Sequence, residues 1–150
     1  MKTDIVVREA LWESEGPIMA MIRRRVFVDE QHVPESLEWD GLDPDCQHVM
    51  AFNRKGEAIG TGRLLPDGHI GRVAVLREWR GLGAGTAIMR QLIAVAQRAG
   101  QSSIRLNAQT PVLEFYESLG FVAFGEAFME AGIPHRAMRL DVATTPVRGG

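Results

Sequence analysis

The chain has 150 residues, of which 45% are apolar and 24% charged, an ordinary balance for one folded domain. Its 17 basic and 19 acidic residues give a formal net charge of −2, so we expect no nucleic-acid partner. One cysteine, Cys46, excludes an internal disulfide and fits a reducing compartment. No apolar run approaches the roughly 20 residues of a membrane span, and no secretory leader follows Met1. These observations predict a cytoplasmic protein without a membrane partner.

The first third of the chain predicts a strand, a helix and an acidic loop. Ile5–Arg8 is short and β-branched, which favours a strand. Gly16-Pro17 predicts the start of a helix, since proline is tolerated at the first helical position. The helix would bury the stripe Ile18, Ile22 and Val26 and leave the basic run Arg23-Arg24-Arg25 on its solvated face. Residues 29–45 contain seven acids and no Lys or Arg, and their prolines predict a loop or broken helix with solvated acids.

Three strands are predicted next, at His48–Asn53, Glu57–Leu65 and His69–Val75. The turns between them are so short that they can only join antiparallel neighbours. This part of the chain is therefore predicted to form an antiparallel meander rather than repeated βαβ units.

The remaining elements alternate between helices and strands. The helical period and the stop signal at Gly100 predict a helix over Ala84–Ala99, and Thr110-Pro111 predicts a second helix capped by Thr110 and running to Gly120. Strands are predicted at Ser103–Asn107, Phe121–Phe128 and His135–Val142, and the tail 143–150 is expected to fray. The order β-α-loop-βββ-α-β-α-ββ predicts a single α+β domain.

The junction between a strand and a helix carries the glycine-rich turn Arg80-Gly81-Leu82-Gly83-Ala84-Gly85. Glycines let the backbone approach a ligand, and a helix N-terminus offers unpaired N–H groups, so the turn is suited to a phosphate. The alternative is a plain tight helix entry. A Walker P-loop is disfavoured because no lysine precedes Thr86, and a Rossmann site is disfavoured because the preceding strands are antiparallel.

Two motifs carry a resemblance to a known family. Arg80-x-x-Gly83-x-Gly85 resembles the coenzyme A motif of the GNAT N-acetyltransferase superfamily, and the segment Glu114 to Phe121 resembles that family's later Tyr…Gly-Phe motif. Residues 27–31, 70–75 and 132–135 look like the narrower ElaA-like subgroup. The resemblance spans residues 4–142 and implies a mostly antiparallel central sheet flanked by helices.

The resemblance also implies an acyl donor, acetyl-CoA, and the groups that hold it. Strand residues Val73, Ala74 and Val75 would run along the pantetheine arm. The pyrophosphate would lie against Arg80, Gly81, Leu82, Gly83, Ala84, Gly85 and Thr86. Gln109 stands where many members have an asparagine that touches the cofactor, and Tyr116 stands where the family often has a general acid beside the donor sulfur.

The acceptor half of the reaction stays open at this stage. The general base is predicted among Glu30 and His135, with Glu35, Glu38 and Asp40 as alternatives, and Trp39 is a candidate wall of the acceptor pocket. The acceptor would be a primary amine of a small molecule or peptide. A non-catalytic acyl-CoA-binding module is the alternative function, and another nucleotide-binding protein is a third. A homodimer is a further open alternative. No metal is expected, because Cys46 and His48 lack a second ligand pair.

Overall fold

The computed structural model of the chain describes residues 4–143, so nearly all of the predicted tail lies outside the described residues. The strands are β1 (Val6–Ala10), β2 (Gln47–Phe52), β3 (Ala58–Leu64), β4 (Ile70–Val75), β5 (Ser103–Gln109), β6 (Val122–Glu130) and β7 (Ile133–Asp141). The α-helices are α1 (Trp12–Arg23), α2 (Glu35–Glu38), α3 (Ala84–Arg98) and α4 (Leu113–Glu117), and a π-helical segment, Arg24–Glu30, continues α1. The order of strands and principal helices confirms the α+β prediction.

The strands form two antiparallel sheets flanked by helices, which confirms the mostly antiparallel α+β fold that the resemblance implied. The first sheet has the order β1-β2-β3-β4 and contains the predicted meander, and the second has the order β5-β7-β6. The sheets meet where His69 and Arg105 form a parallel bridge, beside which the Arg105 N–H donates to Gly68 O at 3.1 Å. Among residues 4–143, β4 and β5 share no ladder beyond that bridge. The two sheets therefore diverge along β4 and β5.

Helix α3 packs against both sheets and buries Ile88, Met89 and Leu92 completely. Two glycines in β3 make this close approach feasible. A Cβ at Gly60 would lie 2.8 Å from Ile88 Cδ1, and a Cβ at Gly62 would lie 2.9 Å from Leu92 Cδ1. Helix α3 is thus packed directly on β3, the strand that pairs with β4.

Helix α1 begins at Trp12, so the predicted start at Gly16-Pro17 is wrong. Glu15 accepts a hydrogen bond from the Leu11 N–H at 3.3 Å and stabilises an earlier first turn. Gly16 belongs inside the helix because a Cβ there would lie 3.1 Å from the Trp12 ring. The proline at position 17 is tolerated within α1.

The buried face of α1 also differs from the predicted stripe. Met19 packs with Ala10 and Met50, and Ile22 packs with Ala74. Ile18, which the prediction had buried, is 44% exposed. Ile22 and Val26 are buried as predicted, whereas Met19 takes the place of Ile18 and Arg23 is buried beside them.

The predicted helix over residues 110–120 is shorter than expected. Thr110–Val112 forms a 3-10 turn without a side-chain cap, and α4 occupies only Leu113–Glu117. Thr110 therefore does not act as the predicted N-cap. Gly120, with φ +101°, ends the segment as predicted. No helix within residues 4–143 is long and apolar enough to cross a membrane.

Candidate active site

The gap between β4 and β5 is the centre of the candidate site, and a β-bulge in β4 shapes it. Gly71 pairs with Arg63 and Ala74 pairs with Thr61, so Arg72 and Val73 together face the single residue Gly62. Arg72 has φ +53°. A bulge bends its strand and increases the twist. The bend accounts for the divergence of β4 from β5 after the bridge at His69.

Backbone groups at the end of β4 face this gap. The Leu76 N–H donates to Ile59 O at 2.9 Å, so the polar groups of Leu76 point toward β3. Because successive residues of a strand alternate, the N–H and C=O of Val75 and of Val73 point to the other side. Val75 O accepts a hydrogen bond from Arg80 Nε at 2.9 Å. Of the three residues predicted to run along the donor, Val73 and Val75 thus direct their backbone polar groups toward the gap, whereas those of Ala74 point toward β3.

The glycine-rich turn lies at the same end of β4. Gly81 has φ +78°, and Gly83, the N-cap of α3, has φ +93°. A Cβ at either glycine would meet no atom within 4 Å, so the turn is open and the glycines serve the backbone conformation. Within the described chain no side chain caps α3. The N–H groups of its first turn, Ala84, Gly85 and Thr86, are therefore available to an anion.

The Arg80 side chain binds an acid instead of standing free at the rim of the turn. Its Nη1 and Nη2 lie 2.5 and 2.8 Å from the two carboxylate oxygens of Glu30, and Arg77 Nη2 lies 3.6 Å from Glu30 Oε2. The hydrogen bond from Arg80 lowers the pKa of Glu30, and the nearby charges of both arginines add to this effect. A carboxylate stabilised in this way is a weaker base than a free one.

His135 lies on the same face of the second sheet as Gln109, its register partner. Gln109 Nε2 donates to Gln31 Oε1 at 2.9 Å, which joins this face to the end of the π-helical segment. The His135 ring is buried, and its Nδ1 lies 2.7 Å from Ile133 O. Since a carbonyl only accepts, Nδ1 donates to it, and Nε2 lies 3.8 Å from Glu130 Oε2.

Tyr116 projects from α4 into an aromatic group. Its ring lies 4.9 Å from that of Phe115 and 6.2 Å from that of Phe121, both in edge-to-face geometry. Burial raises the pKa of Tyr116 to about 12. The phenol therefore keeps its proton at neutral pH and is available as a hydrogen-bond or proton donor.

An ion-pair cluster lies beside the bulge and was not predicted. It consists of three arginines and three acids: Arg23, Arg63, Arg72, Glu38, Asp40 and Asp43. Arg23 is 1% exposed and binds Glu38 Oε2 at 2.8 Å and Asp43 Oδ1 at 2.7 Å. The prediction of solvated residues is thus wrong for Arg23, Glu38 and Asp43, because opposite charges from distant segments converge and satisfy one another.

The cluster continues through Arg63 to Asp40. Arg63 Nη1 lies 3.0 Å from Asp43 Oδ1, and its Nη2 lies 2.5 Å from Asp40 Oδ2. Burial acts to raise the pKa of Asp43, but Arg23 and Arg63 outweigh it and hold that pKa below the ordinary value. The hydrogen bond from Arg63 lowers the pKa of Asp40. Both acids are therefore structural anions rather than bases.

The other residues singled out from the sequence, Glu35, Trp39 and His48, contact this cluster or its neighbours. Glu35 forms an exposed ion pair with Arg24 and accepts from Trp39 Nε1. The Trp39 ring packs against the guanidinium of Arg23, 5.1 Å from its centroid. His48 stacks on Trp12, and its Nε2 lies 2.9 Å from Asp43 O. These contacts explain the positions of Trp39 and His48 as parts of the packing around the cluster.

Comparisons with known proteins place this geometry in a family. A family model described as an acetyltransferase (GNAT) domain matches residues 8–142. The chain therefore belongs to the GNAT acetyltransferase family and is an N-acetyltransferase, as the two sequence motifs predicted. The matched range lies within the predicted domain 4–142.

Individual relatives agree with that assignment. YjcF of Bacillus subtilis, described as an uncharacterized N-acetyltransferase, is 37% identical over 124 residues, covering 80% of this chain and 88% of its own. Escherichia coli ElaA is 30% identical over 132 residues, covering 83% and 86%. Its crystal structure superposes with a TM-score of 0.79 over 90% of this chain and 98% of ElaA, at 26% identity. An acyl-CoA N-acyltransferase structure from Pseudomonas aeruginosa has the same TM-score, 32% identity and coverage of 91% and 99%. The resemblance to the ElaA-like subgroup is thus confirmed.

Proposed function

We propose that this protein transfers an acetyl group from acetyl-CoA directly to a primary amine. The observation that carries the proposal is the meeting of two features at one end of β4. The bulged strand turns the backbone of Val73 and Val75 toward the gap, and the glycine-rich turn offers free N–H groups at the start of α3. A long donor with a pyrophosphate at one end and a thioester at the other matches this arrangement.

The donor would lie along the gap, with its pyrophosphate against Gly81–Thr86 and its pantetheine arm beside Val73 and Val75. Gln109 faces the same region through its hydrogen bond to Gln31. The Arg80 guanidinium, engaged by Glu30 and by Val75 O, would order the turn and contribute positive charge near the phosphates. The ion pair between Arg80 and Glu30 supports a role for both residues on the donor side of the site.

The reaction forms one C–N bond and breaks one C–S bond. The neutral amine attacks the thioester carbonyl, and a backbone N–H near Val75 stabilises the oxyanion that develops. His135, whose Nδ1 is held by Ile133 O, takes the proton from the amine nitrogen on its Nε2. The C–S bond then breaks, and Tyr116 donates its proton to the departing thiolate and recovers one from solvent. Glu30 is the weaker candidate for base because Arg80 lowers its pKa.

Thermal shift and thiol release test the proposal together. Acetyl-CoA at 100 times its Kd should stabilise the fold by about 2.7 kcal/mol, which corresponds to a rise in Tm of roughly 5–10 °C for a chain of this size. ATP and NAD serve as ligand controls. Release of free coenzyme A thiol in the presence of an amine panel should follow. Stabilisation without release by any amine would favour the acyl-CoA-binding module, and stabilisation by ATP or NAD but not by acetyl-CoA would contradict the proposal.

A further inference from the structure

Arg72 occupies a backbone conformation that normally belongs to glycine. It is the first residue of the bulge in β4 and has φ +53°. In bulges whose first residue is left-handed, that residue is usually glycine, because a Cβ makes the conformation unfavourable. The preceding residue is Gly71, which does not have a positive φ. An arginine at the strained position indicates that its side chain supplies something that glycine cannot.

The Arg72 side chain makes three contacts with α2 and one with Asp40, which follows α2. Its Nη2 donates to Leu37 O at 3.2 Å and to Glu38 O at 3.1 Å, and it lies 3.3 Å from Asp40 Oδ2. Its Nε lies 3.1 Å from Glu38 Oε2, an ion-pair contact without hydrogen-bond geometry. The carbonyls at the end of a helix have no intrahelical partner, so a guanidinium that reaches two of them and two carboxylates forms a specific clamp.

The partner of this clamp is itself fixed. Arg23 on α1 holds the Glu38 carboxylate, and Arg63 on β3 holds Asp40. Arg63 is also the register partner of Gly71, the residue before the bulge. The bulge is therefore held from two sides, by its own strand partner in β3 and, through Arg72, by α2.

We propose that Arg72 is a positioning residue for the acyl donor. By clamping the bulge to α2 it keeps the N–H and C=O groups of Val73 and Val75 directed into the gap between β4 and β5. This inference rests on the proposed function, because it assumes that the gap takes the pantetheine arm.

Three variants separate the side-chain contacts from the backbone conformation. Arg72→Gly relieves the left-handed backbone strain but removes the clamp. Arg72→Ala keeps the strain and removes the clamp. Arg72→Lys keeps the positive charge but lacks the planar guanidinium. We expect the Kd for acetyl-CoA, measured by calorimetry, to rise about tenfold or more in the Gly and Ala variants, because small misplacements of a binding edge are costly. The Lys variant should fall between these and the wild type.

A stability control distinguishes positioning from plain folding. Val95→Ala creates a small cavity in α3, about 16 Å along the helix from its first residue. It should lower Tm and leave the Kd unchanged. The proposal would be overturned if Arg72→Gly and Arg72→Ala both kept the wild-type Kd for acetyl-CoA. It would also be overturned if Val95→Ala, at the same Tm as the Arg72 variants, showed a tenfold rise in that Kd. Absence of acetyl-CoA binding by the wild-type protein would instead contradict the proposed function.

Discussion

At the residue scale, the prediction for Tyr116 depends on the pKa of its phenol and on the pKa of the thiol that would leave. Burial raises its pKa to about 12, whereas a free thiol has a pKa of about 8.5 and leaves fairly well as the thiolate. Tyr116→Phe should therefore lower kcat by about a hundredfold or less. The measurement is thiol release at saturating acetyl-CoA with the best amine of the panel. A loss above about ten-thousandfold would contradict a modest role for Tyr116.

The choice of base is also decided at the residue scale. His135→Gln should lower kcat by about a hundredfold or more, because the imidazole that accepts the amine proton is then lost. Glu30→Gln should leave kcat nearly unchanged and instead raise the KM for acetyl-CoA, since it releases Arg80. Both variants are measured with the same amine at the same pH. If Glu30→Gln lowers kcat about a hundredfold and His135→Gln leaves it unchanged, the base is Glu30.

At the scale of elements, the close contact between β3 and α3 leads to a prediction about the free energy of unfolding. A Cβ at Gly62 would lie 2.9 Å from Ile88 Cγ2 and from Leu92 Cδ1. Gly62→Ala should therefore lower the free energy of unfolding by about 1–3 kcal/mol, as overpacked cores do. Urea denaturation measures it. Gly71→Ala is the matched control, because a Cβ there meets no atom within 4 Å. Equal losses in both variants would show that strand glycines, and not the helix contact, determine the effect.

At the scale of the whole molecule, stability should fall as the solution becomes acidic. Burial lowers the pKa of His48, so below its unfolded value of about 6.5 the unfolded chain binds a proton that the folded chain does not. The pKa values of Asp40 and Asp43 are lowered as well. Their contribution is complete above the unfolded value of about 3.9 and is lost as the pH falls below it.

The histidine part of this dependence can be isolated. As the pH falls below about 6.5, the free energy of unfolding should decrease by up to roughly 1.4 kcal/mol per pH unit through this one group, and His48→Gln should flatten that slope. The exposed His32, at φ +61°, offers the control His32→Asn, since asparagine tolerates the left-handed region. A slope that is unchanged in His48→Gln would show that other groups cause the acid sensitivity.

The sequence by itself determined most of the elements and the position of the glycine-rich turn. The short turns between β2, β3 and β4, the period of α3 and the glycines at 81, 83 and 100 are local signals, because turn chemistry and helical spacing act over a few residues. The boundaries of α1 and α4 differ from the prediction where local signals are misleading. Pro17 predicts a first helical position but lies inside α1, and Thr110 predicts a cap but lies in a 3-10 turn.

Only the tertiary structure decided how the donor site is shaped and what holds it. The bulge at Arg72 appears when β3 and β4 pair. The ion-pair cluster joins residues as far apart as Arg23 and Arg72, and Arg80 meets Glu30 across fifty positions of the chain. An arginine or acid in a polar stretch has the same local pattern whether it is solvated or buried. Whether it is buried depends on the opposite charges that the fold places beside it. Those charges come from residues too distant in the sequence for a local pattern to reveal.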